Sequence, residues 1–224
     1  MAAIGIAVTL SLANWQLGRA AEKAGKQESL EKRANEPAVR VPVTVIDAAD
    51  FEFRTVEVSG RFEPRHTIYL DNKILAGKVG FEIVTPLRID ESGRYVLINR
   101  GWVAANRKRS ELPVVATPSG RVFITGTAVV PGHKILELSE QTGEGAIRQN
   151  LVLDRYRESS GLDVQPIVIQ QTSAPDDGLL RRWARPDAGI AKHQGYAFQW
   201  FALALTILVI YLVLNVKKCS IEAE

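Results

Sequence analysis

His193 is the residue in this chain whose spacing to aromatic neighbours would suit the binding of a metal-containing cofactor. His193, Tyr196 and Trp200 stand at positions i, i+3 and i+7, so a continuous helix would place them on one face. Imidazole is a common axial ligand of haem iron, and a haem with an apolar tail would partition to the depth of a membrane boundary. Histidine and aromatic residues also occur at membrane boundaries without a ligand, so the spacing is compatible with both interpretations.

Three arginines lie shortly before this histidine in the chain. Their guanidinium groups could pair with the propionates of a haem, because arginine forms strong charge-assisted hydrogen bonds with carboxylates. They could equally bind lipid phosphates. These residues are Arg181, Arg182 and Arg185.

Other catalytic or metal-binding patterns are missing from the sequence. It contains no Gly-x-Ser-x-Gly elbow, no His-Glu-x-x-His motif and no glycine-rich nucleotide-binding loop. The single cysteine, Cys219, excludes an intramolecular disulfide, a thiolate zinc cluster and a redox cysteine pair. The other histidines, His66 and His133, fall near predicted strand starts, where a surface role is usual. We therefore expect no enzyme activity, and a membrane-tethered hydrolase is the weakest of the alternatives.

The charge of the chain argues against nucleic acid as a partner. The formal net charge is +3, and the sequence has no basic stripe with interleaved aromatic residues. A mild basic excess of this kind is more consistent with contact to anionic lipid head groups.

The element expected to position His193 is a long apolar segment at residues 196–216. It contains no Asp, Glu, Lys or Arg, and about 20 such residues in a helix cross the hydrocarbon core of a bilayer. Lys217 and Lys218 follow its end, as is typical of a membrane interface. The alternative is a buried helix of a soluble core, but such helices seldom run this long without a charge. We predict a transmembrane helix, preceded by a juxtamembrane loop at residues 176–195.

A second apolar segment, at residues 1–18, is predicted to be another transmembrane helix. It is short for a full crossing, which a start further upstream than this sequence would explain. A cleaved signal peptide is the alternative, but no positively charged residue precedes the apolar run. The mixed charges of residues 19–37 then favour a juxtamembrane helix, which Pro37 would end.

Residues 38–175 have the pattern of a β domain. Val56, Val58 and Phe62 alternate with polar residues, as in a strand with one buried face. Further segments rich in Val, Ile, Thr, Tyr and Phe are separated by turn-forming residues. Their spacing predicts a mainly antiparallel domain, barrel-like or sandwich-like, with a minor helix at residues 151–160 that Gly161 stops.

Within the β domain, Arg100 and Trp102 are expected to have structural roles. Residues 99–102 are predicted to end a strand at a turn that needs the conformational freedom of Gly101. Trp102 is predicted to lie in the core beneath that strand end.

Two spans would form a hairpin with both termini on one side of the membrane. Lys217 and Lys218 favour a cytoplasmic tail at residues 217–224 under the positive-inside rule. The β domain would then be extracytoplasmic, in the periplasm or its organelle equivalent, and the absence of an Arg-rich, Ser-rich presequence favours a bacterial protein. The chain is thus predicted to be a multi-pass protein of the inner (cell) membrane, with both termini cytoplasmic.

Several short motifs follow one another along the chain, each occurring once. The most specific are Asn-Arg-Gly-Trp-Val at residues 99–103 and His-x-x-Tyr-Ala-x-x-Trp-Phe at residues 193–201. Trp-Gln-x-x-Arg at residues 15–19 precedes them, as do the segments at residues 53–62 and 80–87. With these motifs the chain resembles, nearly end to end, the surfeit-locus family of cytochrome c oxidase assembly factors.

The resemblance implies a two-span inner-membrane protein that assists the delivery of haem a to oxidase subunit I, or its insertion there. It implies His193 as the haem contact, and we expect Tyr196 and Trp200 to form walls of the site. The partners would be subunit I, other oxidase subunits or assembly factors, haem a and the lipid bilayer. Residues 13–14 and 188–192 depart from the family pattern without touching the histidine. The alternative is a membrane scaffold that stabilises oxidase subunits or an assembly intermediate without binding haem.

Overall fold

The computed structural model describes residues 2–90, 92–106, 108, 111–131, 145–173, 177–183 and 189–221, with side chains as far as residue 215 in the last segment. The chain divides into two compact units. The β unit is Lys32–Trp183, and the helical unit combines Met1–Glu31 with Ala184–Glu224. The α-helices described are α1 (Ala2–Ala34), α2 (Ala48–Phe51), α3 (Leu153–Ser160) and α4 (Ile190–Ile221).

Helix α1 runs without a break across the point where the sequence changes from apolar to charged. Residues that favour helices occupy this junction, and Arg19 pairs with Glu22 one turn later at 2.8 Å. The helix ends at Ala34, shortly before Pro37, in agreement with the expected effect of the proline.

Helices α1 and α4 run antiparallel in the helical unit. A methyl group added to Gly5 would meet the Ile207 side chain at 3.5 Å, and one added to Gly189 would meet the Lys23 ammonium at 3.7 Å. The contacts therefore pair the start of α1 with the middle of α4, and the middle of α1 with the start of α4. Small buried residues lie along both helices between these points: Thr9, Ala13, Ala20, Ala197 and Ala204.

One helix among the described residues is long and apolar enough to cross a membrane, over Ile190–Asn215. The apolar part of α1 is shorter, since charged residues follow it from Arg19 onwards. Length and composition thus support the span predicted at residues 196–216, and the span at residues 1–18 stays a prediction.

Within the described residues, eight strands form the sheet of the β unit. The order is β1-β2-β6-β8-β5-β4-β3-β7. Strand β2 also pairs with β4, which links the two ends of the series β2-β6-β8-β5-β4. Most pairs are antiparallel; β1–β2, β3–β7 and β5–β8 are parallel. The strands are β1 (Val39–Arg40), β2 (Thr55–Phe62), β3 (Ile68–Leu75), β4 (Lys78–Ile89), β5 (Tyr95–Ala104), β6 (Arg121–Val129), β7 (Ile147–Arg148) and β8 (Val164–Gln171).

The core of the β unit follows the alternation expected from the sequence. Val56 and Val58 of β2 are buried, whereas Glu57 and Arg61 are exposed. The centres of β4 and β5 are buried on both faces, because further strands and α3 cover them. A mainly β domain between an N-terminal helix and an apolar C-terminal helix is therefore confirmed.

Strand β5 does not end at the predicted turn. It continues through Gly101, which has φ of +139°. In the ladder to β4, Ile83 pairs with Gly101 and Val84 pairs with Asn99, so Arg100 is the extra residue of a β-bulge. The predicted turn is wrong, because the conformational freedom of glycine serves a bulge inside a strand. A core position for the neighbouring tryptophan is confirmed: it is 8% exposed.

Helix α3 forms close to its predicted position and ends before Gly161, which has the left-handed φ of +69°. Its Tyr156 side chain is fully buried against the sheet. The Tyr156 hydroxyl donates a hydrogen bond of 2.8 Å to the His66 carbonyl oxygen. This bond ties α3 to the short 3-10 helix Pro64–His66.

Tyr156→Phe is expected to lower the free energy of unfolding by about 1 kcal/mol at neutral pH, because the His66 carbonyl loses its donor. Burial raises the pKa of Tyr156 above its ordinary value of 10.0, with Arg148 acting in the opposite direction. The folded protein thus prefers the neutral phenol, and its contribution to stability is full below about pH 10 and is lost as the pH rises. Urea unfolding at about pH 8 and about pH 11 should show that the free energy of unfolding falls less between these pH values in the variant than in the wild type. An equal fall in both proteins would contradict this prediction.

Candidate functional site

His193 is held by a glutamine on the neighbouring helix. It lies in the first turn of α4, and its Nδ1 is 2.7 Å from Oε1 of Gln16 on α1. Both side chains are half-buried. The two residues are 177 positions apart in the chain, so no local pattern could reveal their contact. In the sequence Gln16 stands out only as part of the Trp-Gln-x-x-Arg motif, which does not predict a contact with His193.

The chemistry of the two atoms assigns their roles in this hydrogen bond. An amide oxygen only accepts, so Nδ1 of His193 donates. In a neutral imidazole, Nε2 then carries the free lone pair. Histidines that bind metals typically donate their other ring N–H to an oxygen in this way, which fixes the tautomer and the ring orientation.

The two predicted aromatic neighbours of His193 have different surroundings. His193 and Trp200 are half-buried and alternate with the buried Ala197 and Ala204 along one stripe of α4. Tyr196 stands beside this stripe and is 43% exposed. The structure thus brings His193 and Trp200 together on the more buried face of α4, with Tyr196 at its edge.

The arginines suggested as partners for propionates have separate surroundings. In the β unit, Arg181 donates to Asp177 Oδ2 at 2.6 Å, and both side chains are buried. Its guanidinium is therefore engaged within that unit. Arg182 is exposed, and Arg185 lies outside the described residues.

Asp177 also neutralises Arg100, the bulge residue of β5. Arg100 lies 3.4 Å from Asp177 Oδ2 and donates to the Thr117 hydroxyl at 2.8 Å and to the Ala116 carbonyl at 2.6 Å. Burial lowers the pKa of Arg100, whereas Asp177 raises it. The expected structural role of Arg100 is thus that of a buried cation at the centre of a polar network.

The described residues contain no cluster of three or more His, Cys, Asp or Glu side chains that could hold a metal ion. His66 lies in the short 3-10 helix of the β unit, and His133 is outside the described residues. A porphyrin supplies its own ring nitrogens to the iron, so one imidazole is a sufficient protein ligand for a haem. The single imidazole donor of His193 is therefore compatible with a haem.

Comparisons with known proteins match most of the chain to one family. The SURF1 family profile matches residues 3–205. A SURF1-like protein of Rickettsia felis is 27% identical over 240 residues, covering 97% of this chain and 96% of that protein. A SURF1-like protein of Drosophila melanogaster is 27% identical, covering 88% of this chain and 71% of that protein.

A vertebrate relative gives the same result at lower identity. Surfeit locus protein 1 of Rattus norvegicus is 23% identical over 217 residues, covering 88% of this chain and 69% of that protein. The family match includes the entire β unit, nearly all of α1 and the first part of α4, as far as residue 205. On this match, the chain belongs to the SURF1 family.

Proposed function

We propose that this protein assists the delivery of haem a to subunit I of a haem-copper oxidase, or its insertion there, and that it does so without enzyme activity. Family membership implies a role in cytochrome oxidase assembly. The delivery of haem a is the more specific part of the proposal. The observation that carries it is the hydrogen bond from His193 to Gln16. The proposed partners are subunit I and other oxidase subunits or assembly factors.

In this proposal His193 binds the haem iron through Nε2. No hydrogen bond to Nε2 is found within the described part of the chain, and the 2.7 Å contact occupies Nδ1. The half-buried ring of Trp200 lies on the same face of α4, and Tyr196 stands at its edge. These rings would contact the porphyrin as walls of the site.

The surface of α4 suits a haem with an apolar tail as well as lipid. Its side chains beyond the first turns are large, apolar and exposed, including Phe198 and Leu205. Exposed apolar surface of this extent marks contact with a membrane or another apolar partner. A single imidazole ligand also holds iron less firmly than two would, which suits a cargo that must be released.

The apolar helix α4 and the family membership indicate that the protein is membrane-associated. We further propose that α1 provides a second span, so that the β unit is extracytoplasmic and both termini are cytoplasmic. The positive-inside rule supports this orientation, because Lys217 and Lys218 follow the apolar segment.

The test is an absorption spectrum of the protein purified in detergent from cells that make haem a. The wild type is expected to show a haem Soret band, and His193→Ala is expected to lose it. His66→Ala is the matched control, since it removes an imidazole from the β unit and should keep the band. A His193→Ala protein with an undiminished Soret band would refute the proposed iron ligand.

The scaffold function is the second candidate. It is supported by large apolar side chains exposed on the β unit, which could contact oxidase subunits: Val45, Ile74, Val114 and Phe123. Under this function His193→Ala would leave oxidase assembly in cells intact, whereas substitution of the exposed apolar residues would impair it. Under the haem-delivery function, His193→Ala would itself prevent formation of a haem-loaded oxidase.

A further inference from the structure

Gln16 is the described side chain that forms a hydrogen bond with the imidazole of His193. We propose that Gln16 is a positioning residue that holds His193 in the Nδ1-protonated tautomer and presents Nε2 as the ligand atom. The tautomer follows from the contact itself, because the amide oxygen can only accept. The consequence for iron binding rests on the proposed function.

The packing of the two helices keeps this hydrogen bond in place. Gln16 lies on the face of α1 that carries the buried Ala13 and Ala20, and His193 lies one turn before the buried Ala197 of α4. The Gly5–Ile207 and Lys23–Gly189 contacts bracket the pair along the antiparallel helices. The packing thus holds the two helix backbones together at this level, and the hydrogen bond from Gln16 on α1 orients the imidazole.

The neutral charge of Gln16 has its own chemical consequence. A carboxylate that accepts from the non-ligating nitrogen makes the imidazole a more basic and stronger iron ligand. An amide oxygen orients the ring with less of this effect. Gln16 thus combines a defined ligand geometry with a moderate bond to iron, which suits a protein that must pass its haem on.

The first experiment uses the full chain in detergent micelles without haem. Protein labelled with ¹⁵N at histidine is compared by long-range ¹H–¹⁵N correlation, with the His193 signals assigned through His193→Ala. In the wild type and in Gln16→Glu, His193 is expected to be protonated at Nδ1. In Gln16→Leu, this single tautomer is expected to be lost. Gln199→Leu, an exposed glutamine on α4, is the control and should leave the tautomer unchanged.

The second experiment loads the same variants with haem a. Gln16→Leu is expected to bind about 10-fold more weakly, which is the lower end of the effect for residues that orient metal ligands. Gln16→Glu is expected to retain binding and to lower the midpoint potential of the haem, because the more basic ligand favours the ferric state. A helical circular dichroism spectrum equal to that of the wild type shows that the variants retain their fold.

These results separate the inference from the proposed function. If His193 in the wild type is protonated at Nε2, or if Gln16→Leu leaves the Nδ1 tautomer intact, Gln16 does not position the ring. If His193→Ala binds haem as the wild type does while Gln16→Leu shifts the tautomer, the proposed function fails and the positioning contact stands. If the wild type and all Gln16 variants bind haem a with equal affinity and equal midpoint potential, the proposed effect of Gln16 on iron binding is refuted.

Discussion

Asp177→Ala is expected to lower the free energy of unfolding of the β unit by about 3–5 kcal/mol. Asp177 Oδ2 lies 2.6 Å from Arg181 and 3.4 Å from Arg100, and none of the three side chains is more than 9% exposed. The remaining acceptors of Arg100 are uncharged. The variant would leave two guanidinium groups buried without a counter-ion, and an unpaired buried charge costs far more than the pair itself contributes.

Urea unfolding of the full chain in detergent, followed by near-ultraviolet circular dichroism, measures this loss. Asp163→Ala is the matched control. Asp163 pairs with Arg94 at 2.8 Å but is 62% exposed, so its removal is expected to cost less than about 1 kcal/mol. Similar costs for the two substitutions would show that Asp177 is not the counter-ion on which the buried arginines depend.

Gly60→Ala is expected to destabilise the β unit by about 3 kcal/mol, at the upper end of the usual cost of overpacking. Gly60 pairs with Ile89 of β4 on one side and with Val122 of β6 on the other. A Cβ atom at this position would overlap the Arg88 carbonyl oxygen and lie 3.2 Å from Leu87 Cγ. The backbone of β4 cannot move aside without breaking its pairing with β2, so a small shift of the backbone cannot relieve the overlap.

Gly120→Ala provides the control, because a Cβ atom there meets no atom within 4 Å. We expect a change of no more than about 0.5 kcal/mol in the same urea unfolding measurement. If Gly60→Ala unfolds at the same urea concentration as the wild type, the close approach of β2 and β4 is not a feature of the folded protein.

Several elements could be predicted because their signals are local. The burial of Val56 and Val58 follows from their period-2 spacing, and the end of α3 follows from a glycine that can adopt a left-handed conformation. The end of α1 follows from the restriction that Pro37 places on the residue before it. Each signal depends on residues within a few positions of one another.

The predicted turn at Gly101 was wrong for a related reason. A glycine with positive φ fits a turn and a β-bulge equally well, and only the pairing with β4 distinguishes them. The burial of Arg100 was likewise not predictable, because its counter-ion Asp177 comes from a distant segment of the β unit. Arg181, one of the three arginines suggested as partners for haem propionates, forms part of the same ion-pair network.

The class of this protein follows from its amino-acid sequence: an apolar helix of membrane length, a strand-rich domain, and a histidine motif at the start of that helix. These properties depend on composition and short-range periodicity, which a single chain displays directly. The contact of Gln16 with His193 and the pairing of β2 with both β4 and β6 become visible only in the folded chain. Such contacts join residues far apart in the chain, and helix packing and strand register select them from many alternatives that local preferences leave equal.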